Sequence, residues 1–238
     1  DPYIIGIASA ATFGAVIAYL LGLSDVFYGI FAFLAASGLS LVIFKLAAHT
    51  RSISTLLIVG IAVSSFLGAF TSFAVYLIGE DSFRITAWMM GYLGGANWQK
   101  IALLLPPLLF CMAYFYAKRH ELNIILNGDE EAKSLGLNVE KSKKSLLIVS
   151  SLIIGFSVAF TGMIGFVGLI IPHTLRMALH TASNAVLIPA SALTGGVFLV
   201  FCDVIAKNAL SPVEIPIGVV TSFFGAPFFL YLAFRKHA

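Results

Sequence analysis

Charge is what this 238-residue sequence has least of: 11% of its residues are Asp, Glu, Lys or Arg, against 60% hydrophobic and a mean hydropathy of +1.00. A water-soluble domain carries about a quarter charged residues, so the composition excludes a soluble globular protein and indicates an integral membrane one. Cysteine is nearly absent. Cys111 and Cys202 both fall in apolar runs without matching histidine spacing, and read as two small buried thiols, not a disulfide or a metal site. No HExxH, no nucleophile set beside a base and no GxxxxGK[ST] phosphate loop occurs. Those absences argue against an intramembrane enzyme and against ATP hydrolysis by that route within the chain. Acidic residues are scarce inside the apolar runs, where Asp203 stands alone, which leaves little for a proton- or sodium-coupled carrier. There is no basic stripe with interleaved aromatics, hence no nucleic-acid partner. No secretory leader opens the chain, which begins DPYIIGIASAATFG at the brink of a span.

What is present is a succession of long apolar runs, each near the roughly 20 residues that cross a hydrocarbon core as helix. They lie approximately at 4–23, 26–45, 55–78, 100–117, 145–163, 165–179, 187–206 and 215–234. The runs are continuously apolar, without the alternation of a membrane β-barrel. The expected fold is therefore all-α, a polytopic bundle of about eight spans making one transmembrane domain over 1–238. Charge orients it. With the connections after spans two, four and six in the cytoplasm, that side holds Lys45, Arg51, Lys118, Arg119, Lys133, Lys141, Lys143, Lys144, Arg176, Arg235 and Lys236. Only Arg84, Lys100 and Lys207 fall opposite, and this positive-inside bias places both ends of the chain in the cytoplasm.

Three connections carry local signals. Trp88, Tyr92 and Trp98 cluster in GEDSFRITAWMMGYLGGANW (79–98), either as headgroup-level anchors or on a short helix folded over the outer mouth. The cytoplasmic segment 120–145 is punctuated. Asn127 or Asp129 can cap a short helix with Glu130 and Glu131 in its first turn, Gly136 stops it, and Asn138 can cap the next. It serves either as a charged connector or as a docking element presenting Ala132, Leu135 and Leu137. In and just before GFVGLIIPHTLR (165–176), Gly162, Gly165 and Gly168 permit a tight outer turn that folds spans five and six back on each other. Pro172 interrupts the sixth span, and His173 and Arg176 share a face near its cytoplasmic end. That is a structural motif, with Arg176 snorkelling, in preference to a proton or metal site.

GFVGLIIPHTLR, together with DPYIIGIAS, WMMGYLGG, GDEEAKSLGL, DVIAK and EIPIGVVTSFFGAPFF, resembles the signatures of the iron-siderophore, haem and cobalamin class of ABC importer permeases. The motifs fall in that family's order along the whole chain. Members have ten spans, so the resemblance implies that the first two, and an Asn-Pro-Leu-Ala before Asp1-Pro2, are missing here. It further implies a permease subunit, not itself an enzyme and without cofactor or metal, in the cytoplasmic membrane. Its partners would be a second permease subunit, two cytosolic ABC ATPases and an extracytoplasmic substrate-binding protein. The chelate itself is not legible.

By the same resemblance the ATPase would be engaged through Asp129, Glu130, Glu131, Ala132, Leu135 and Gly136. Spans three and eight, which echo each other in GIAVSSFLGAF and GVVTSFFGAPF, would line the pathway with Ser64, Ser65, Gly68, Thr71, Thr221, Ser222 and Gly225; the alternative for these residues is close packing within one subunit. Thr50, Arg51 and Ser52 would form a cytoplasmic gate or simply anchor the loop. Lys207 would meet an acidic residue of the binding protein or pair locally with Asp203, an i,i+4 neighbour. A secondary transporter or channel without an ATPase remains the alternative function.

Overall fold

The computed structural model describes residues 6–49, 53–79 and 82–235. Every regular element among them is a helix: α1 (Ile7–Leu20), α2 (Asp25–His49), α3 (Ile53–Ile78), α4 (Ser82–Met89), α5 (Trp98–Ala117), α6 (Arg119–Ile125), α7 (Asp129–Ser134), α8 (Val139–Thr161), α9 (Val167–Leu179), α10 (Asn184–Asn208) and α11 (Ile217–Arg235). Four of them are long and apolar enough to span a bilayer: Ile58–Ile78 within α3, then α5, α8 and α10. The apolar stretches of α1, α2, α9 and α11 are shorter. At 1.5 Å per residue, the 13 residues of α9 extend only about 20 Å. Among the described residues all eight expected runs are thus helical, and the short helix expected within 79–98 is present as α4.

The tightest packing joins α1, α2 and α8. Its contacts are Ala8, Ala11, Ala15, Ala32, Ala36, Val158 and Ala159, all buried. Small side chains let backbones touch, which substitutes for a hydrophobic driving force inside lipid. A Cβ on Gly14 would strike the Phe31 carbonyl, and one on Gly155 would lie 2.6 Å from the Phe33 Cα. Between α2 and α8 the hydroxyls of Ser40 and Ser151 meet at 2.6 Å, both fully buried. The hydroxyls of Ser40 and Ser151, like those of Thr12, Ser64, Ser65, Thr71, Thr161 and Ser222, also lie within hydrogen-bond distance of the carbonyl four residues earlier, so hydroxyls in apolar surroundings stay paired within their own helix.

The connections gather at two ends. At one, hereafter the aromatic end, residues 88–92, 161–163 and 217–218 cross one another. Tyr92 N–H donates to the Thr161 carbonyl, Met163 to Met89, Ile217 to Gly91 and Gly218 to Met90, at 2.9 to 3.4 Å. At the other, the basic end, lie α6, α7 and the α9–α10 connection, with Lys118, Arg119, Lys133, Lys141, Lys143, Lys144 and Arg176. Cys111 and Cys202 are buried free thiols, as expected.

The turn at Gly162 corrects one expectation. α9 does not fold back along α8 but packs against α10 and α11, and a cavity of about 220 Å³ lined by Ile154, Val158, Gly162 and Phe166 lies between α8 and the start of α9. The cause is local. Gly162 caps α8 at φ 67, ψ −164, a region essentially closed to residues with a Cβ, and Phe166 at φ 68 opens α9. The Phe166 ring lies where Gly225 lacks a side chain, which draws α9 onto α11.

Candidate coupling surface and translocation face

At the basic end the first element after α5, the fourth apolar run, is α6, RHELNII. Glu121, on its first turn, accepts from Lys118 Nζ through one carboxylate oxygen and from Ser142 Oγ, 2.7 Å away on α8, through the other. Partial burial pushes the Glu121 carboxyl up, but the two hydrogen bonds and the Lys118 charge outweigh it and leave the group below its ordinary value. Two residues on, Asn123 Oδ1 accepts from the backbone N–H of Asn184 at 3.0 Å and from its side-chain amide at 2.8 Å. Sequence reasoning passed over both residues, because one charged and one amide side chain on a short surface helix have no distinctive pattern.

α7 follows after Gly128. The expected caps, Asn127 or Asp129, are not used: Gly128 is the N-cap and no side chain caps the helix. Gly128 sits at φ 118, ψ 154, again a conformation in effect reserved for glycine. Asp129 is instead bound by Lys143 Nζ of α8 at 2.6 Å. Gly136 stops the helix at φ 84, and Asn138 caps α8 through Lys141 N–H, both as expected. Of the predicted docking residues, Ala132 is fully buried and faces the protein, so its side chain is withdrawn from any partner. Glu130 and Glu131 are exposed, and Leu135 is 63% exposed at the end of the helix. A leucine so presented, following a first turn of carboxylates, has the form of an anchor for a partner groove.

The candidate pathway residues divide. Thr71, Thr221 and Gly225 are buried, Ser64 Oγ lies against α1 where Gly6 approaches, and these four pack helices within the subunit. Ser65, on the open side of α3, is exposed beside Phe66, Phe70 and Phe73, while Gly68 has no neighbour within 4 Å of its missing Cβ. Ser222 is half-buried on α11. Thr50, Arg51 and Ser52 lie outside the described residues.

At the aromatic end, Lys207 Nζ holds Asp203 at 2.6 Å, the local pair that the i,i+4 spacing allowed. Beside it a cavity of about 1080 Å³ opens, lined by Tyr19, Tyr28, Trp88, Tyr92, Lys100 and Glu214 among others. Trp98 is 85% exposed, while Trp88 packs against the α1–α2–α8 core. On α9, His173 meets Phe228 edge-on at 6.1 Å and Arg176 is exposed in the last turn, favourable against the helix dipole. Among the described residues no group of His, Cys, Asp or Glu could hold a metal ion.

A bundle of apolar helices, four of them long enough to span a bilayer, with crossed connections at one end and a short exposed helix at the other, has the architecture of a polytopic membrane protein. The chain belongs to the FecCD transport family, whose model matches residues 1–235. It is 41% identical to the cobalamin import system permease protein BtuC of Halobacterium salinarum over 98% of this chain and 63% of that one. It is 35% identical to the hemin transport system permease protein HmuU of Yersinia pestis over 99% of this chain and 73% of that one. A transporter described as of metal-chelate ABC type, solved in an inward-facing conformation, superimposes with a TM-score of 0.87 at 30% identity, over 99% of this chain and 76% of its own. The chain thus spans about two thirds to three quarters of the length of these relatives.

Proposed function

We propose that this chain is the translocating part of a permease subunit in an ABC importer for a metal chelate such as cobalamin, haem or an iron-siderophore complex. The names of its relatives support the substrate class. These 238 residues carry no phosphate loop, which supports hydrolysis of ATP by separate cytosolic subunits. The observation that carries the ATPase reading is α7, with Leu135 exposed between its carboxylates and the stop at Gly136. The basic end then faces the cytoplasm, as its lysines and arginines favour, and the membrane is the cytoplasmic one. A second permease subunit would close the pathway against the open side of α3, where Ser65 and Gly68 stand, with Ser222 contributing from α11. Thr50, Arg51 and Ser52 remain the candidate inner gate. An extracytoplasmic binding protein would dock on the aromatic end, where Lys207 is available only at the expense of its bond to Asp203.

The test is Leu135→Asp in the full-length permease. Removing a buried apolar anchor at an interface costs about 2 kcal/mol or more, roughly thirtyfold in affinity. Co-purification with the ATPase should fall accordingly while thermal stability of the permease is unchanged. Transport at the normal rate by a Leu135→Asp complex would remove the coupling role, and transport by the permease with no ATPase present would favour a secondary transporter or channel.

A further inference from the structure

α7 packs on α6 and α8, and α6 in turn packs on α10, so α6 stands between the proposed docking helix and α10. The bond between α6 and α10 has an unusual form. Ser183 occupies the N-cap position of α10 but makes no side-chain capping bond, and the Asn184 N–H, like the first N–H of any helix, has no acceptor within the helix. Asn123 supplies one from 61 residues away in sequence and holds the Asn184 amide with the same oxygen. Two residues earlier on α6, Glu121 is tied to Ser142 in the first turn of α8. α10 itself is a 25-residue helix, about 37 Å long. It reaches the aromatic end, where Ile215 N–H donates to its Ala206 carbonyl, just before α11 starts.

We infer that Asn123 is a positioning residue that transmits displacement of α7 into α10, using the cap it lends to Asn184, while Glu121 keeps α6 in register with α8. The inference rests on the reading of α7 as the ATPase-docking helix. Motion imposed on α7 from the basic side enters α6 through their packing. It leaves through one side-chain oxygen that holds both the backbone N–H and the side-chain amide of Asn184, so α10 follows α6 or loses both bonds. A helix is stiff along its axis, and the shift arrives at the opposite end of the bundle, beside Lys207 and the crossed connections.

The experiment uses the full-length permease with its ATPase in nanodiscs, with spin labels at Leu21 and Leu210, both 63% exposed near the aromatic end. The distance between them is read with and without ATP plus vanadate. The wild type should show a nucleotide-driven change. Asn123→Ala should reduce the coupling by about fivefold or more, the lower range for communication between sites, with ATPase co-purification unchanged. Asn123→Asp keeps the acceptor oxygen and should restore the change. Should Asn123→Ala fail to fold, an Asn123→Cys/Asn184→Cys disulfide serves instead, because two groups that move as one body tolerate a covalent link. A full distance change in Asn123→Ala, or its loss in the disulfide-linked protein, overturns the transmission role. Failure of the wild type to bind any ATPase overturns the docking reading and the transmission role together.

Discussion

Gly162 and Gly128 share a backbone conformation that in effect only glycine adopts, yet they stand at opposite ends of the molecule and in opposite surroundings. At the aromatic end a Cβ on Gly162 would run into the Trp88 carbonyl, and Gly91 and Gly218 are equally hemmed by backbone atoms. At the basic end nothing lies within 4 Å of the position a Cβ on Gly128 would take. The bonds repeat the contrast. The aromatic end is joined by backbone N–H to carbonyl bonds between three chain segments; the basic end is joined by side chains, namely Glu121, Asn123 and the Asp129–Lys143 pair. Backbone bonds set among glycines admit one arrangement, because no rotamer can absorb a shift. Side-chain bonds let the helices they join reorient without parting, because their χ angles turn while donor and acceptor stay together. The basic end can therefore shift within itself, while the three crossed segments of the aromatic end move only as one piece.

Gly162→Ala should break that contrast most severely. Backbone strain of about 1–3 kcal/mol adds to a collision with main-chain atoms that cannot yield, so a loss of about 3 kcal/mol or more is expected. Thermal unfolding in detergent should show it, and an unchanged midpoint would mean the aromatic end is not rigid. Gly128→Ala carries the strain without the collision, about 1–3 kcal/mol confined to the entry to α7. Global unfolding should move little, while amide exchange in α7 accelerates. Lys143→Met removes an exposed pair worth about 0.2–1 kcal/mol. Its effect on α7 protection should shrink as salt rises, since exposed charges are screened over about 10 Å at 0.1 M. The smallest effect concerns acid. The Glu121 carboxyl is held below its ordinary value, so its contribution to stability is complete above the ordinary pKa of about 4.3 and is lost only as pH falls through the lowered one. Protection of the α6–α8 junction should be flat from about pH 5 to 8, and a step within that window would contradict the assignment.

The regions legible in the sequence are those where a single physical demand dominates. Lipid requires long apolar helices, so the eight runs could be laid out from hydropathy, and the i,i+4 spacing of Asp203 and Lys207 announced their pair. Gly136 and Asn138 marked a stop and a cap because each acts on its own backbone neighbourhood. The Gly128 cap escaped because a glycine conformation leaves no side chain to signal it. Glu121 and Asn123 escaped because their partners, Ser142 and Asn184, are 21 and 61 residues away. Long-range pairing of that kind has no period. The division of the pathway residues was equally hidden: Ser64 and Ser65 are adjacent in sequence, but one turns to α1 and the other to the open face.

Both tryptophans of the chain, Trp88 and Trp98, lie at the aromatic end, one held against packed helices and the other bare. The molecule is accordingly its own optical probe. Indole emission from Trp88, half-buried between packed helices and the cavity, reports a drier surrounding than that from the exposed Trp98, so selective quenching separates them without any label. No indole of this chain stands near α6 or α7. Any spectral change that follows an event at those helices must therefore have crossed the thickness of the bilayer through the protein before it produced light.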